Sequence, residues 1–135
     1  MANEAVLIFE TSVPIPFTVA NGLGVEKGTV LRLLDPATVS AANAKLDIVG
    51  GIACNEKIAS DGVTKLSVYR SGVFKGTISG SVTVGDALVI SGPSPNNLLQ
   101  TATINDEQVV GTSLETATDL ETFLFELNPR VMNLA

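Results

Sequence analysis

A chain of 135 residues fits one domain that buries roughly two thirds of its unfolded surface, and nothing in its length calls for a second. It is 45% hydrophobic but only 4% aromatic, with no Trp, so Val, Ile, Leu and Ala must fill the core, and the stiff side chains of Val and Ile favour strands. Its formal charge of -6 comes entirely from residues 76–135, where seven acids face Arg130 alone, which excludes the clustered Lys and Arg of a nucleic-acid footprint.

Residues 1–17 read as an extended N-terminal arm and residues 18–135 as a β-rich domain. Within the arm, Val6 to Phe9 has the length of a short strand. Pro14 and Pro16 remove two backbone donors within three residues, so Val13 to Phe17 is extended and suits a sheet edge. Such an apolar segment needs a surface to lie on: its own domain, a sister subunit or a larger assembly. The opening MANEAVLIFE has a short apolar run and no basic leader, so neither a signal peptide nor a membrane partner is expected.

Asn21-Gly22-Leu23-Gly24 marks a loop, and Gly28 to Leu34 alternates as a strand with a buried face. Asp35-Pro36 either ends that strand or caps a helix. Ala37 to Lys45 is the one segment that suits a helix, with a loop of one helical turn as its alternative at this length. Leu46 to Cys54 is a strand interrupted by Gly50-Gly51, the sign of a bulge or a close backbone approach. Asp61-Gly62 then turns the chain into the stretch with the densest strand and turn signals, Thr64 to Ser91. There Leu66 and Val68 share one face, Val73 to Ile78 is extended, and Gly85-Asp86 turns into the apolar run Ala87 to Ile90.

After a surface turn, GPSPNN, three more strands are expected at Leu98 to Ile104, Gln108 to Ser113 and Glu121 to Leu127. The last lines one face with Phe123, Phe125 and Leu127, and Asn128-Pro129 is expected to stop it, leaving an apolar tail, VMNLA. The fold this predicts is all-β: a compact single-domain β-barrel or β-sandwich of short, mainly antiparallel strands, with at most one short helix and an extended N-terminal arm. A faint internal echo pairs Gly28 and Leu31 with Gly85 and Leu88, and Leu66 and Val68 with Phe123 and Phe125, at an offset of 57, while Gly51 and Gly111 differ by 60. Either two similar β units or generic β patterning accounts for it. In the first case Thr64 to Ser91 is the junction of the units, with Arg70 to Gly80 as its bridge.

Reaction chemistry finds little support. The absence of His removes the commonest general base and metal ligand, and Cys54 alone forms no intrachain disulfide and is expected to pack as a small hydrophobe. Gly22 to Gly28 lacks dinucleotide-fingerprint spacing, and Lys75-Gly76-Thr77 lacks the upstream glycine loop of a phosphate site. Asp106, Glu107, Glu115, Asp119 and Glu121 match no cation-binding loop, and a solvated acidic surface describes them better. A serine nucleophile would need a lysine base, and no Ser-x-x-Lys spacing occurs. No catalytic, cofactor-binding or metal residue is therefore named, and the chain is not expected to be an enzyme.

The order of features in residues 14–127 resembles the head decoration, or capsid-stabilising, proteins of tailed phages. The resemblance is carried by PIPFTVANGLGVEKGTVLRLLDP, then IVGGIACNEKIASDGVTKLSVYRSGVF, then VTVGDALVISG and VVGTSLETA. It implies a homotrimeric cement protein, made in the host cytoplasm, that binds the outer surface of the head and holds the major capsid protein lattice against DNA pressure, with no cofactor and no nucleic-acid or membrane partner. Together with the arm it suggests Val6, Ile8, Val13, Pro14, Ile15, Pro16 and Phe17 as capsid or intersubunit contacts, the extended arm adding a strand to a capsid edge. On that reading, deleting the arm removes capsid binding without unfolding the domain. The alternative is a soluble β-barrel binding module for a small molecule or glycan, for which six aromatic residues are few; a low-activity hydrolase is weaker still without His.

Overall fold

The computed structural model describes residues 2–45, 47–91, 96–103 and 108–131, and every segment of secondary structure in them is β. In chain order the strands are β1 (Val6–Phe9), β2 (Ile15–Thr18), β3 (Val30–Leu34), β4 (Thr38–Ala41), β5 (Val49–Ala53), β6 (Lys65–Tyr69), β7 (Gly72–Ile78), β8 (Ala87–Ile90), β9 (Leu98–Thr101), β10 (Gln108–Ser113) and β11 (Thr122–Val131). They form two small barrels. The first closes in the order β2-β4-β3-β5-β6. In the second, β7-β11-β10-β8-β9 closes through a β7–β9 pairing, and β1 lies along β7.

The two rings have one topology. In each, the first strand pairs parallel to the third and antiparallel to the fifth: β2 with β4 and β6, β7 with β9 and β11. Register repeats as well. Leu31 faces Ala41 in the first barrel and Leu88 faces Thr101 in the second, displaced by 57 and 60 positions. The bridge Val25 to Lys57 recurs as Val82 to Ala117 under the same displacements. Loop bonds follow suit: the Gly28 and Gly85 amides donate to Ala53 and Ser113 at 2.9 and 2.8 Å, and the Cys54 and Leu114 amides to Ser67 and Leu124 at 2.9 Å each. The internal echo is thus a structural duplication.

Its glycines show why the echo survives in the sequence. A Cβ on Gly51 would collide with the backbone carbonyl of Tyr69, and one on Gly111 with that of Glu126, the matching place 57 residues on. Both positions lie where the fourth strand of a ring crosses closest to the fifth.

Alternation set the cores. Leu66 and Val68 join Val19, Val25, Leu31, Val39 and Ala53 inside the first barrel, and Phe123, Phe125 and Leu127 are buried in the second. The second core also takes Val30, Val49, Ile52 and Tyr69 from the outer face of the first barrel, so the barrels share one apolar interior and form one domain. Phe74 meets Tyr69 edge-on at 5.6 Å and stacks on Phe125 at 6.1 Å, an aromatic seam across the joint. Cys54 is half-buried against this core. Its contact with the Tyr69 hydroxyl, together with burial, pushes that phenol up to about 12. Asn97 pins the joint from the side, accepting from the Val30 amide at 2.9 Å and donating to the Ala2 carbonyl at 2.8 Å.

Three expectations are corrected. Residues 37–45 contain no helix among those described: Asp35-Pro36-Ala37 makes a tight turn with Ala37 at φ 45°, and the chain returns as β4 beside β3. The β-branched Thr38 and Val39 suit this, and burying Val39 inside the first barrel outweighs any local capping signal. Secondly, Asn128-Pro129 does not stop β11. One extra residue of β11 is accommodated between Val109↔Arg130 and Gly111↔Leu127, a bulge of the kind in which proline is tolerated. Finally, β7 is a stave of the second barrel, so the bridge within Thr64 to Ser91 is only the step from Tyr69 to Gly72.

Candidate interaction surface

The segment expected to be an arm is docked on its own domain. β1 runs antiparallel to β7 with Val6 opposite Lys75, and β2 runs antiparallel to β6 with Ile15 opposite Val68. The N-terminal segment therefore spans the joint beside the continuous β6–β7 path. It is pinned midway by Ser71, whose Oγ accepts from Thr11 at 2.9 Å and lies 2.5 Å from Ser12 Oγ. The expected boundary after residue 17 falls inside β2, which is a stave of the first barrel.

Pro16 fits in that stave for a local reason. The Thr18 amide points to the β4 side and donates to Ala37 at 3.0 Å, and the nitrogen two residues earlier points the same way. There β4 pairs with β2 only at Thr18, so no acceptor waits for the missing donor of Pro16.

Of the residues suggested from sequence, Val6 (57% exposed), Ile8 (41%), Val13 (78%) and Ile15 (47%) present large apolar side chains to solvent. Pro16 is also exposed, Pro14 is half-buried, and Phe17 packs against the first core instead. The structure adds Phe9, 65% exposed, which strict alternation would have turned inward with Leu7. A register shift between Leu7 and Phe9 reverses it. Five exposed apolar side chains thus fall between Val6 and Ile15 on a segment fixed at both ends. Glu4 precedes them and Glu10 lies among them.

Each barrel also ends in a loop pair, and the two differ. In the first, the Lys57 side chain is buried, and its Nζ donates to the carbonyls of Asn21 (2.8 Å), Leu23 (2.9 Å) and Ile58 (3.2 Å) and lies 3.2 Å from Asp61 Oδ1. The Val63 amide, chiefly, holds the Asp61 carboxyl below its ordinary range. In the second barrel the matching position is Ala117, and Glu121 instead ties the corner, accepting from the Thr118 amide and hydroxyl at 2.7 Å each. Those two bonds lower the Glu121 pKa. Sequence inspection missed the buried lysine because a lone Lys in a polar loop carries no periodic signal. Among the described residues no three His, Cys, Asp or Glu side chains gather as a metal site; Asp106 and Glu107 lie outside them.

No protein-family model matches the chain, and no curated protein matches it. Among solved structures, the fold is similar to that of the N base of the head fiber gp8.5 of bacteriophage phi29. The TM-score is 0.57 at 17% identity, with 88% of this chain and 98% of that one covered.

Proposed function

We propose that the protein is a structural component of a bacteriophage head, seated on its outer surface and stabilising the lattice of the major capsid protein as a homotrimer. The carrying observation is the likeness to a head-fiber base over nearly the whole of both chains, which agrees with the family resemblance read from the order of motifs. Two geometric features support it. The shared core makes the double barrel one rigid body, and the strip of Val6, Ile8, Phe9, Val13 and Ile15 offers apolar side chains without reorganisation of the backbone. A repeated shell then multiplies weak contacts into tight occupancy. The role is non-enzymatic.

Deleting the arm is no longer a clean test, because it removes a stave of the first barrel. Point changes on the strip are cleaner. Val13→Lys combined with Phe9→Lys is expected to leave the fold intact and to reduce co-sedimentation with expanded, undecorated heads by about ten-fold, one or two lost apolar contacts per copy. Light scattering reports the oligomer. Wild-type protein that ignores heads, or a double variant that decorates them fully, sinks the reading.

A further inference from the structure

The duplication provides an internal control for one cavity. A cleft of about 400 Å³ opens at the mouth of the first barrel, with Val25, Ala41 and Ile58 among its apolar walls and Glu26 and Glu56 on its rim. Thr29, 1% exposed, belongs to its lining, and the Oγ1 of Thr29 is buried without a hydrogen-bond partner. A buried hydroxyl left unpaired is unfavourable by about 1–3 kcal/mol, so something in the working protein is expected to satisfy it.

In the second barrel the same positions are joined by hydrogen bonds. Thr101, matching Ala41, donates its hydroxyl to the carbonyl of Ser81, matching Gly24, at 2.9 Å. Thr116, matching Glu56, accepts from the Val84 amide at 3.1 Å. Asp86, matching Thr29, accepts from the Thr83 amide at 2.9 Å. Three side chains bond across the one mouth, and their counterparts in the other are Ala41, Glu56 and the orphaned hydroxyl of Thr29.

Charge selects the occupant. Lys57 lines the cleft, but its ammonium is consumed by three carbonyls and Asp61. Glu56 is exposed and has no ion pair among the described residues. Arg32 stands in the adjoining groove, with its Nε donating to Ser40 Oγ at 2.7 Å, and confines a cation to the Glu56 side. Apolar walls, the Glu56 carboxylate at the rim and a hydroxyl acceptor suit an aliphatic stem with a cationic end. We infer that this cleft receives a lysine or arginine side chain presented by a partner polypeptide. This deepens the proposed function by naming the chemistry of the partner, and rests on that function only for the identity of the partner.

The test has two arms. In the first, intact isotope-labelled protein is titrated with N-acetyl-lysine methylamide and with its norleucine analogue, which lacks the charge, while backbone amide shifts are followed. Saturable shifts at Gly24, Thr29 and Ala59 with the lysine probe are expected, at a Kd on the order of millimolar. Glu56→Gln should weaken binding by about three-fold, and the matching amides Ser81, Asp86 and Asp119 should stay still. Equal binding of the norleucine probe, shifts at both barrels alike, or no shifts at ~50 mM probe overturn the inference. A second variant imports the bond of Thr101 from the other barrel: Ala41→Thr, whose hydroxyl is placed to donate to the Gly24 carbonyl as that of Thr101 donates to Ser81. It should abolish the shifts in a chain that still folds.

In the second arm, wild type and this Ala41→Thr variant are co-sedimented with expanded heads. Loss in the variant alone supports the inference, and equal binding of both overturns it even if the probe binds. If neither sediments, the head-binding reading fails, and the probe titration alone decides whether the cleft takes a basic side chain.

Discussion

The two barrels answer one topology with different interiors and different ends. The second is packed with Phe74, Phe123 and Phe125, whereas the positions matching Phe123 and Phe125 in the first are Leu66 and Val68. At the ends the relation reverses: in the second barrel Thr101 donates to the Ser81 carbonyl while Thr116 and Asp86 accept from the Val84 and Thr83 amides, and the first carries the buried Lys57 beneath longer loops. From Thr18 to Val25 is seven residues, but from the matching Thr77 to Val82 only five, so the first barrel has two more residues here. Extra loop brings extra carbonyls, and a single ammonium satisfies three of them. The difference teaches that one repeat supplies the apolar mass of the domain while the other has been freed to shape a surface.

The comparison can be broken first in the cores. Phe125→Ala removes a fully buried ring and two aromatic contacts, and should destabilise the domain by about 3–5 kcal/mol. Val68→Ala, its counterpart, should cost about 2 kcal/mol. Urea denaturation monitored at both barrels checks this, and because the interior is shared, each variant should unfold in one transition. Equal effects would mean that the first barrel depends on its core as heavily as the second.

Next comes the lysine. Replacing Lys57 by the alanine of the other barrel leaves the carbonyls of Asn21, Leu23 and Ile58 without their donor, and about 2–4 kcal/mol should be lost. The reciprocal Ala117→Lys forces an ammonium into a position that is buried, and should be no milder. If Lys57→Ala proves neutral, the loops of the first barrel stand without it and the division of labour collapses.

How far the sequence discloses this can be judged from particular residues. Leu66 with Val68, and Phe123 with Phe125 and Leu127, were legible because alternation acts locally and both strands have one buried face. The repeat was legible at Gly51 and Gly111 because close backbone approach tolerates no side chain. β4 was not, since four residues display neither period and Asp-Pro signals a turn and a helix cap alike. The bulges beside Phe9 and Pro129 reversed local expectations because register is set by the partner strand. Of the N-terminal segment, Val13 to Phe17 was read correctly as extended. Its role as a barrel stave was not, because the closure of β2 on β4 and β6 is long-range. The cleft was invisible because residues from Gly24 to Ala59 come together at it only in the folded barrel.

A smaller effect separates the corners by pH. Asp61 and Glu121 both have depressed pKa values, from the Val63 amide and the Thr118 amide respectively. A depressed carboxylate contributes stability that is complete above its unfolded value, about 4, and is lost as pH falls through the lower folded value. Acid should therefore weaken the domain below about pH 4, and Asp61→Asn and Glu121→Gln should each flatten that limb in urea midpoints measured across the range. Asp61→Asn should also lower the neutral midpoint more than Glu121→Gln does, since only Asp61 faces a buried lysine. A limb unchanged in both variants would assign acid sensitivity elsewhere.

The smallest expected effect concerns the residue at each loop tip. Ser60 and Leu120 sit at φ 59° and 63°, and their amides donate to the carbonyls of Asn21 and Ile78 at 2.7 and 2.8 Å. A side chain in this left-handed region is unfavourable by about 1–2 kcal/mol, and glycine escapes that term while giving back about 0.5–1 kcal/mol through the freer unfolded chain. Leu120 is 62% exposed, so little packing is lost with its side chain. Leu120→Gly and Ser60→Gly should each therefore stabilise by about 0.5 kcal/mol, a rise of a few degrees or less in Tm. The backbone term is common to both tips, so any difference between them measures what the exposed leucine does beyond it. A Leu120→Gly variant that melts lower than wild type while Ser60→Gly melts higher would show that the leucine packs against the second barrel, and that the aromatic half of the domain extends its apolar contacts to its loop tip as well.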